Sequence, residues 1–451
     1  MRRYLLLLPV LAVAACNRET TMDDDLLGKV AVFAPEHNPT GFVFLLSDAK
    51  GWAPEMSRLA KHLRRHGLIV AGIDSVTLLA NLAKDNAVPC HTLTGAFETM
   101  SQTIQKEHAL AVYALPVLAG IGDGAVVALA ALWQTGPQTF SGAVTADFVP
   151  VLRSIGPLCA DPPAEPANGG VYVYSAPPGG LSGGWWQAAW STPPEPATRE
   201  FAKAAGAATP LVHTSIASPT ALLGKLLDWS TAERARRAVD ALKLGDLSVV
   251  DLPGRTGSTD VAIILSGDGG WRDLDRSLGE ILAATGVHVI GIDCLRYFWH
   301  EKSPGEVAAD LARLIAQIIN ENSAAKISLI GYSFGADVLP AILKRLPTDT
   351  RSRIVFISLL ALGKDAHFEI KVSGWFGGDS TSDAQPLSPE LAGINVARVQ
   401  CIYGEDETDE SGCLDRQLQG ADIVHLPGGH HFDEDYSRLA EIILRRMRAT
   451  S

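Results

Sequence analysis

Ile327-Ser-Leu-Ile-Gly331-Tyr-Ser333-Phe-Gly335-Ala-Asp-Val-Leu339 joins a short apolar run to a helical pattern through a Gly-x-Ser-x-Gly turn. The apolar run reads as a buried strand, and the segment after the turn reads as a helix start. A sharp turn of this kind forces the serine into strained dihedrals. Both glycines are required because side chains there would clash with the neighbouring strand and helix. The first N–H of the helix, that of Phe334, then faces negative charge developing at the serine. Strand, turn and helix in this order make a nucleophile elbow, and they predict Ser333 as the nucleophile of an α/β-hydrolase domain.

A nucleophilic serine needs a base, and the base needs an orienting acid. In this fold the chain order is serine, acid, histidine. Downstream, the strand-like run Val399-Gln-Cys-Ile-Tyr403 passes through Gly404 into Glu405-Asp406-Glu407-Thr-Asp409. Counting from Gly404 favours Glu407, residue type favours Asp406, and Asp409 is a more distant third. Ile423-Val-His425-Leu-Pro-Gly428-Gly429-His430-His431-Phe432 is a strand ending in a glycine turn with paired histidines. The base is His430, directly after the glycine pair, or His431; His425 sits within the strand. Upstream, Ser266-Gly267-Asp268-Gly269-Gly270 follows another apolar run. There this fold supplies its second oxyanion donor, here the backbone N–H of Asp268. The loop lacks the Gly-Lys-Ser/Thr ending of a P-loop and the full GxGxxG spacing, so it does not read as a nucleotide site.

Working outward, the chain repeats itself. Gly41-Phe-Val-Phe-Leu-Leu-Ser47-Asp48-Ala-Lys-Gly51-Trp52 aligns without a gap on Asp260-Val-Ala-Ile-Ile-Leu-Ser266-Gly267-Asp-Gly-Gly270-Trp271. The same interval of 22 positions runs from Trp52 to Asp74 in Ala-Gly-Ile-Asp74 and from Trp271 to Asp293 in Ile-Gly-Ile-Asp293. A repeat of this length means two tandem domains of one fold. Further apolar runs (Leu68–Ile73, Val112–Leu115, Val171–Tyr174, Val261–Leu265, Val287–Ile292, Ile354–Leu359) read as buried strands. Between them lie helical patterns such as 303–320, so the expected class is α/β, with doubly wound, mostly parallel sheets. The expected organisation is a degenerate hydrolase-like domain over 26–230, a linker helix over 231–243 and a catalytic domain over 244–451. Residues 161–197, rich in Pro, Gly and Trp, read as an elaborated loop. In the first copy, Gly120-Ile-Gly122-Asp-Gly124-Ala125 aligns with the elbow, and Gly122 stands where a nucleophile is needed. Only the second copy carries chemistry.

Arg2 and Arg3 precede an apolar stretch, Leu5 to Ala15, that meets Val13-Ala14-Ala15-Cys16. This is too short for a permanent membrane span and reads as a cleaved export signal with a lipoprotein-like box. The expected location is the periplasm, with anchoring through a lipidated Cys16. Export permits disulfides. With Cys16 set aside, Cys401 with Cys413 and Cys90 with Cys159 are the plausible pairs, leaving Cys294 as a buried free thiol. No His/Cys cluster has zinc-like spacing, so no structural metal is expected. A net charge of −12 argues against nucleic acid as a partner and suits a cationic or zwitterionic substrate. Asp268, Asp273 and Asp275 stand near the oxyanion loop and are candidates for selecting ammonium groups, with Trp271 beside them as a substrate contact. Asp273 and Asp275 equally fit a solvated helix start. Tyr297-Phe298-Trp299 fits either a pocket wall or the core.

The C-terminal half resembles the AcvB/VirJ family of exported, virulence-associated bacterial proteins. The resemblance rests on Leu265-Ser-Gly-Asp-Gly-Gly-Trp271, Gly291-Ile-Asp-Cys-Leu-Arg-Tyr-Phe-Trp299, Gly331-Tyr-Ser-Phe-Gly-Ala-Asp337, Cys401-Ile-Tyr-Gly404 and Leu426-Pro-Gly-Gly-His-His-Phe-Asp433. Two-domain length and a degenerate first copy are similar to the longer, AcvB-type members. The resemblance implies a periplasmic lipase acting on a membrane phospholipid, removing the aminoacyl group, typically lysyl, from aminoacyl-phosphatidylglycerol. It also implies a link to type IV secretion components. Two other readings are an envelope binding or scaffolding protein without catalysis, and an esterase or thioesterase with another exported substrate.

Overall fold

The computed structural model describes residues 19–84, 88–136, 138–181, 184–206, 212–213, 218–238, 247–371 and 384–450. Two large sheets carry the described chain. In the C-terminal sheet the strand order is Val249–Leu252, His288–Ile292, Asp260–Leu265, Lys326–Tyr332, Ile354–Leu360, Val399–Gly404 and Asp422–Leu426. Only the first pairing is antiparallel; the others are parallel. Helices cover both faces, so alternate residues of one strand serve two cores. Val261, Ile263 and Leu265 join one apolar cluster, and Ala262 and Ile264 join the other. That two-sided burial is why these strands read as continuous apolar runs instead of alternating ones.

The N-terminal sheet follows the same plan with one more strand. Its order is Glu19–Asp24, Gly28–Phe33, Leu68–Ile73, Gly41–Leu46, Val117–Ile121, Gly142–Ala146, Trp185–Trp190 and Val212–His213. The repeated residues prove to be scaffold in both copies. A Cβ on Gly72 would lie 2.3 Å from the Trp52 ring, and one on Gly291 would lie 2.3 Å from the Trp271 ring. Each indole therefore packs against a strand position that has no side chain. Ser47 Oγ accepts the Ser75 N–H and Ser266 Oγ accepts the Cys294 N–H. Asp74 and Asp293 each cap the helix that follows.

Several boundaries differ from the sequence expectation. The first domain begins at least as early as Glu19, whose strand pairs with Gly28–Phe33. The helix expected over 231–243 runs from Pro219 to Ala238, and residues 239–243 lie outside the described residues. Its first turns bury Leu222, Leu223 and Leu227 against the first domain, so it belongs to that domain and is not merely a linker. Val112–Leu115 is not a strand; the strand starts past Pro116, at Val117. Proline donates no ladder hydrogen bond and steers its predecessor out of helical geometry. Val171–Val173 is a strand of a small, partly exposed three-stranded sheet and not of the core. Within 161–197, Trp185–Trp190 is a largely buried strand of the main sheet, where a loop was expected.

The helix expected over 303–320 spans Pro304–Glu321. Ser303 and Glu306 form a reciprocal capping box at its start. Disulfides join Cys90 to Cys159 and Cys401 to Cys413, and Cys294 is buried as a free thiol. Among the described residues no helix is long and apolar enough to cross a membrane. Cys16 and the preceding signal-like stretch lie outside them.

Candidate active site

The elbow lies between the strand Lys326–Tyr332 and the helix Phe334–Arg345. Ser333 has φ 52° and ψ −120°, a conformation that costs a non-glycine residue about 1–3 kcal/mol. The two glycines make it feasible. A Cβ on Gly331 would lie 2.5 Å from the Gly335 carbonyl oxygen, and one on Gly335 would lie 2.2 Å from that of Leu265. The Ser333 N–H is tied to the Leu360 carbonyl at 2.8 Å, which anchors the turn to the next strand.

His430 Nε2 lies 2.8 Å from Ser333 Oγ. On the other side of the ring, His430 Nδ1 is 3.0 Å from both carboxylate oxygens of Glu407. With Nδ1–H donating to Glu407, Nε2 is left to accept the serine proton, which is the tautomer a general base requires. The His430 side chain is 40% exposed and that of Glu407 31%, so the triad opens to solvent.

Adjacent residues hold these groups in place. Tyr332 O–H donates to the His430 carbonyl at 3.3 Å, and its oxygen lies 3.3 Å from His431 Nδ1. The structure thus places His431 against Tyr332 and away from the nucleophile. Asp406 is likewise outside the triad: its N–H donates to the Gly428 carbonyl at 3.1 Å, stitching the acid loop to the base loop. A Cβ on Gly404 would lie 2.3 Å from the Gly429 carbonyl oxygen, so those two loops approach as closely as backbones can. Lys364 Nζ donates to the Asp409 carbonyl, on the far side of this turn. His425 is exposed and faces Glu405 at 3.6 Å.

On the oxyanion side, the loop 266–270 passes over the elbow. A Cβ on Gly267 would lie 3.8 Å from that of Ser333 and 3.3 Å from the Tyr332 ring. This brings the backbone of Gly267 beside the nucleophile. The arrangement is that of a serine hydrolase.

Residues 259–451 match the family described as bacterial virulence protein (VirJ). The C-terminal domain is thus similar to the VirJ family. Ser333, Glu407, His430 and the oxyanion loop all lie inside the matched residues. No curated protein matches the chain. Among solved structures it is similar to a lipase-esterase related protein from Clostridium acetobutylicum (17% identity, 45% of this chain and 99% of that one, TM-score 0.31). It is also similar to the thioesterase domain from the curacin biosynthetic pathway (16%, 45% and 97%, TM-score 0.32). A third likeness is to MenH from S. aureus (15%, 45% and 98%, TM-score 0.34).

Two expectations about the rim of the site are corrected. Trp271 is 2% exposed, so it is a core residue beneath the loop and not a substrate contact. Truncating a buried tryptophan costs about 3–5 kcal/mol, whatever the substrate. The glycine of Ile-Gly-Ile-Asp293 was the sequence signal for this, since only a bare position admits the indole. Asp275 is neither solvated nor open to a ligand: it is 3% exposed and accepts the Gly267 N–H at 3.3 Å. Burial pushes its carboxyl well above the usual carboxylate range. Asp275 is therefore a support for the oxyanion loop that spacing alone did not reveal. Asp273 does face solvent, its side chain 65% exposed, with Arg272 Nε at 3.7 Å. Tyr297, Phe298 and Trp299 are core residues, and Phe298 stacks edge-on against Phe334 at 5.0 Å.

The first domain keeps the elbow without its chemistry. Gly122 has φ 55° and ψ −118°, nearly the dihedrals of Ser333. Asp123 begins its helix, and burial raises its carboxyl above the usual range, with Asp48 adding to the effect.

Proposed function

We propose that this protein is an exported serine esterase that hydrolyses the aminoacyl ester of aminoacyl-phosphatidylglycerol, with a lysyl group as the favoured acyl part. The observation that carries the esterase reading is the 2.8 Å approach of His430 Nε2 to Ser333 Oγ, with Glu407 behind the ring. The choice of substrate rests on the resemblance to the AcvB/VirJ family, on the signal-like start of the chain and on its acidic balance.

In this mechanism Ser333 Oγ attacks the aminoacyl carbonyl while His430 takes the hydroxyl proton. Glu407 stabilises the imidazolium that forms. The Phe334 and Asp268 N–H groups receive the oxyanion, each donor contributing about 3 kcal/mol in comparable sites. His430 then returns the proton to the glycerol oxygen, releasing phosphatidylglycerol and leaving an aminoacyl-serine. A water activated by His430 cleaves that ester and frees the amino acid. An anchor at Cys16 would hold the open triad at the lipid surface. The solvent-facing Asp273 carboxylate suits an ammonium-bearing acyl group.

Purified protein mixed with lysyl-phosphatidylglycerol in detergent micelles is expected to release free lysine. Ser333→Ala is expected to release none and to lose labelling by a fluorophosphonate. A Ser333→Ala variant that still labels sinks the nucleophile assignment. Turnover of a simple ester without lysine release sinks the substrate assignment and leaves the esterase standing.

A further inference from the structure

The first domain has no nucleophile, yet one of its side chains reaches the loop that forms the oxyanion site. Glu98, on the helix Thr94–Glu107, pairs with Nη1 of Arg272, at the end of the segment Ser266–Arg272. The Glu98 side chain is 11% exposed and that of Arg272 26%, so the pair is largely withdrawn from water. The guanidinium folds back over its own loop: a Cβ on Gly269 would lie 2.7 Å from its Nε. The Arg272 N–H also donates to the Gly270 carbonyl at 2.9 Å. Other charges near the guanidinium are Asp273, mostly exposed, and Asp268 within electrostatic reach.

The same helix is fixed to the C-terminal domain further along. Lys106 Nζ donates to Glu369 Oε1 at 2.9 Å and to the Trp299 carbonyl. Trp299 Nε1 donates to the Leu110 carbonyl at 2.9 Å, just past the helix. The scaffold residues Ser266, Gly270 and Trp271 recur as Ser47, Gly51 and Trp52, but the residue after Trp52 is Ala53, where the catalytic copy has Arg272. The arginine is particular to the copy that has a nucleophile, and it is tied across the domain boundary.

We propose that Glu98 is a positioning residue, acting through Arg272, that holds the loop 266–270 where its backbone N–H groups meet the oxyanion, so that the inert domain completes the active site of the other. This rests on the serine-hydrolase reading above. Neutralising Glu98 removes the nearest and most buried counter-charge of the guanidinium, leaving it the exposed Asp273, and the side chain leaves the loop to reach water. A loop displaced by about 1 Å can cost on the order of 100-fold in rate. The loss falls on kcat, because the oxyanion forms only in the transition state.

The test uses the full chain and a soluble p-nitrophenyl ester, with active sites counted by fluorophosphonate labelling. Glu98→Gln is expected to lower kcat per labelled site by about 10- to 100-fold with KM within about two-fold. Lys106→Met, which removes a contact of the same helix away from the loop, is expected to keep kcat within about two-fold. The double variant Glu98→Leu with Arg272→Met leaves no buried unpaired charge, so it guards against misfolding, and it is expected to show the same loss as Glu98→Gln. The proposal is overturned if kcat per labelled site is unchanged in Glu98→Gln or in the double variant. It is equally overturned if Lys106→Met loses as much, since the effect would then be domain docking in general. If the native protein neither labels nor turns over the ester, the hydrolase reading itself fails, and this proposal with it.

Discussion

Glu407 and Asp406 are neighbours in one acidic turn, and their side chains do different work. Glu407 meets both demands of an orienting acid, facing His430 Nδ1 at 3.0 Å with each oxygen. Asp406 contributes its backbone N–H to Gly428, which any residue except proline supplies. Glu407→Gln is therefore expected to lower kcat by about 10³- to 10⁴-fold, and Asp406→Asn by no more than about two-fold. Steady-state turnover of a soluble ester by the two variants decides between them, and a reversal of that order would move the acid to Asp406. A second residue, Asp337, predicts how stability varies with pH. Burial pushes its carboxyl up to about 7, with Asp268 and Asp365 adding to the effect, against an N–H donated by Gly363 at 2.8 Å. The unfolded chain ionises near pH 4 and the folded one near 7. The group's contribution to stability is thus fully present below about pH 4 and is lost as pH rises towards 7. Asp293, raised to about 6, acts with the same sign. Asp337→Asn keeps the acceptor for Gly363 without the charge. Its melting temperature is expected to fall less between pH 5 and pH 8 than that of the native protein; an equal fall in both would contradict this.

At the scale of elements, the site is the meeting of three loops that follow parallel strands: the oxyanion loop, the elbow and the acid loop, joined by the histidine turn after the last strand. Ligand sites at the carboxyl ends of parallel strands are the general rule for such sheets. The acid loop has an extra constraint, because Glu407 lies within the segment closed by Cys401 and Cys413. Cys401 is fixed in a buried strand and Cys413 packs in the core, so the bond limits how far the turn 405–411 can swing. Cys413→Ala is expected to lower stability by up to about 3 kcal/mol and to reduce kcat as Glu407 loses its bearing on His430. Thermal unfolding and kcat per labelled site check the two parts separately. Unchanged kcat would mean that the loop contacts suffice without the bond.

For the whole molecule, the central question is what a hydrolase fold without a nucleophile does beside one that has it. The elbow dihedrals survive at Gly122, while the segment after Val212–His213, residues 214–217, contains no histidine. Gly122→Ala places a methyl 3.4 Å from the Asp48 Cβ and puts alanine at φ 55°, at a cost of about 1–3 kcal/mol, the same strain that Ser333 bears in the other copy. Ester turnover is expected to stay within a few-fold of the native protein. A collapse of kcat with the fold intact would show that the first domain takes part in the chemistry directly. Ion pairs from one helix, Glu98 with Arg272 and Lys106 with Glu369, instead point to mechanical support across the boundary.

Much of this was legible in the residues themselves. The elbow at Ser333 and the buried strands follow from rules acting within a few residues: glycines where backbones touch, apolar runs where both sheet faces are covered. The interval from Trp to Asp in each copy determined the tandem plan without any coordinates. What the residues left open were choices between neighbours, because adjacent side chains on a turn diverge by about 120° and only the partner loop selects one. Thus Glu407 stands over Asp406 in its 3-10 turn and His430 over His431, while Trp271 lies inward under Gly291. The buried strand Trp185–Trp190 and the pairing of Glu98 with Arg272 depend on segments far apart in the chain. Those contacts exist only once both sheets have formed and met, and that is why the tertiary structure alone decided them.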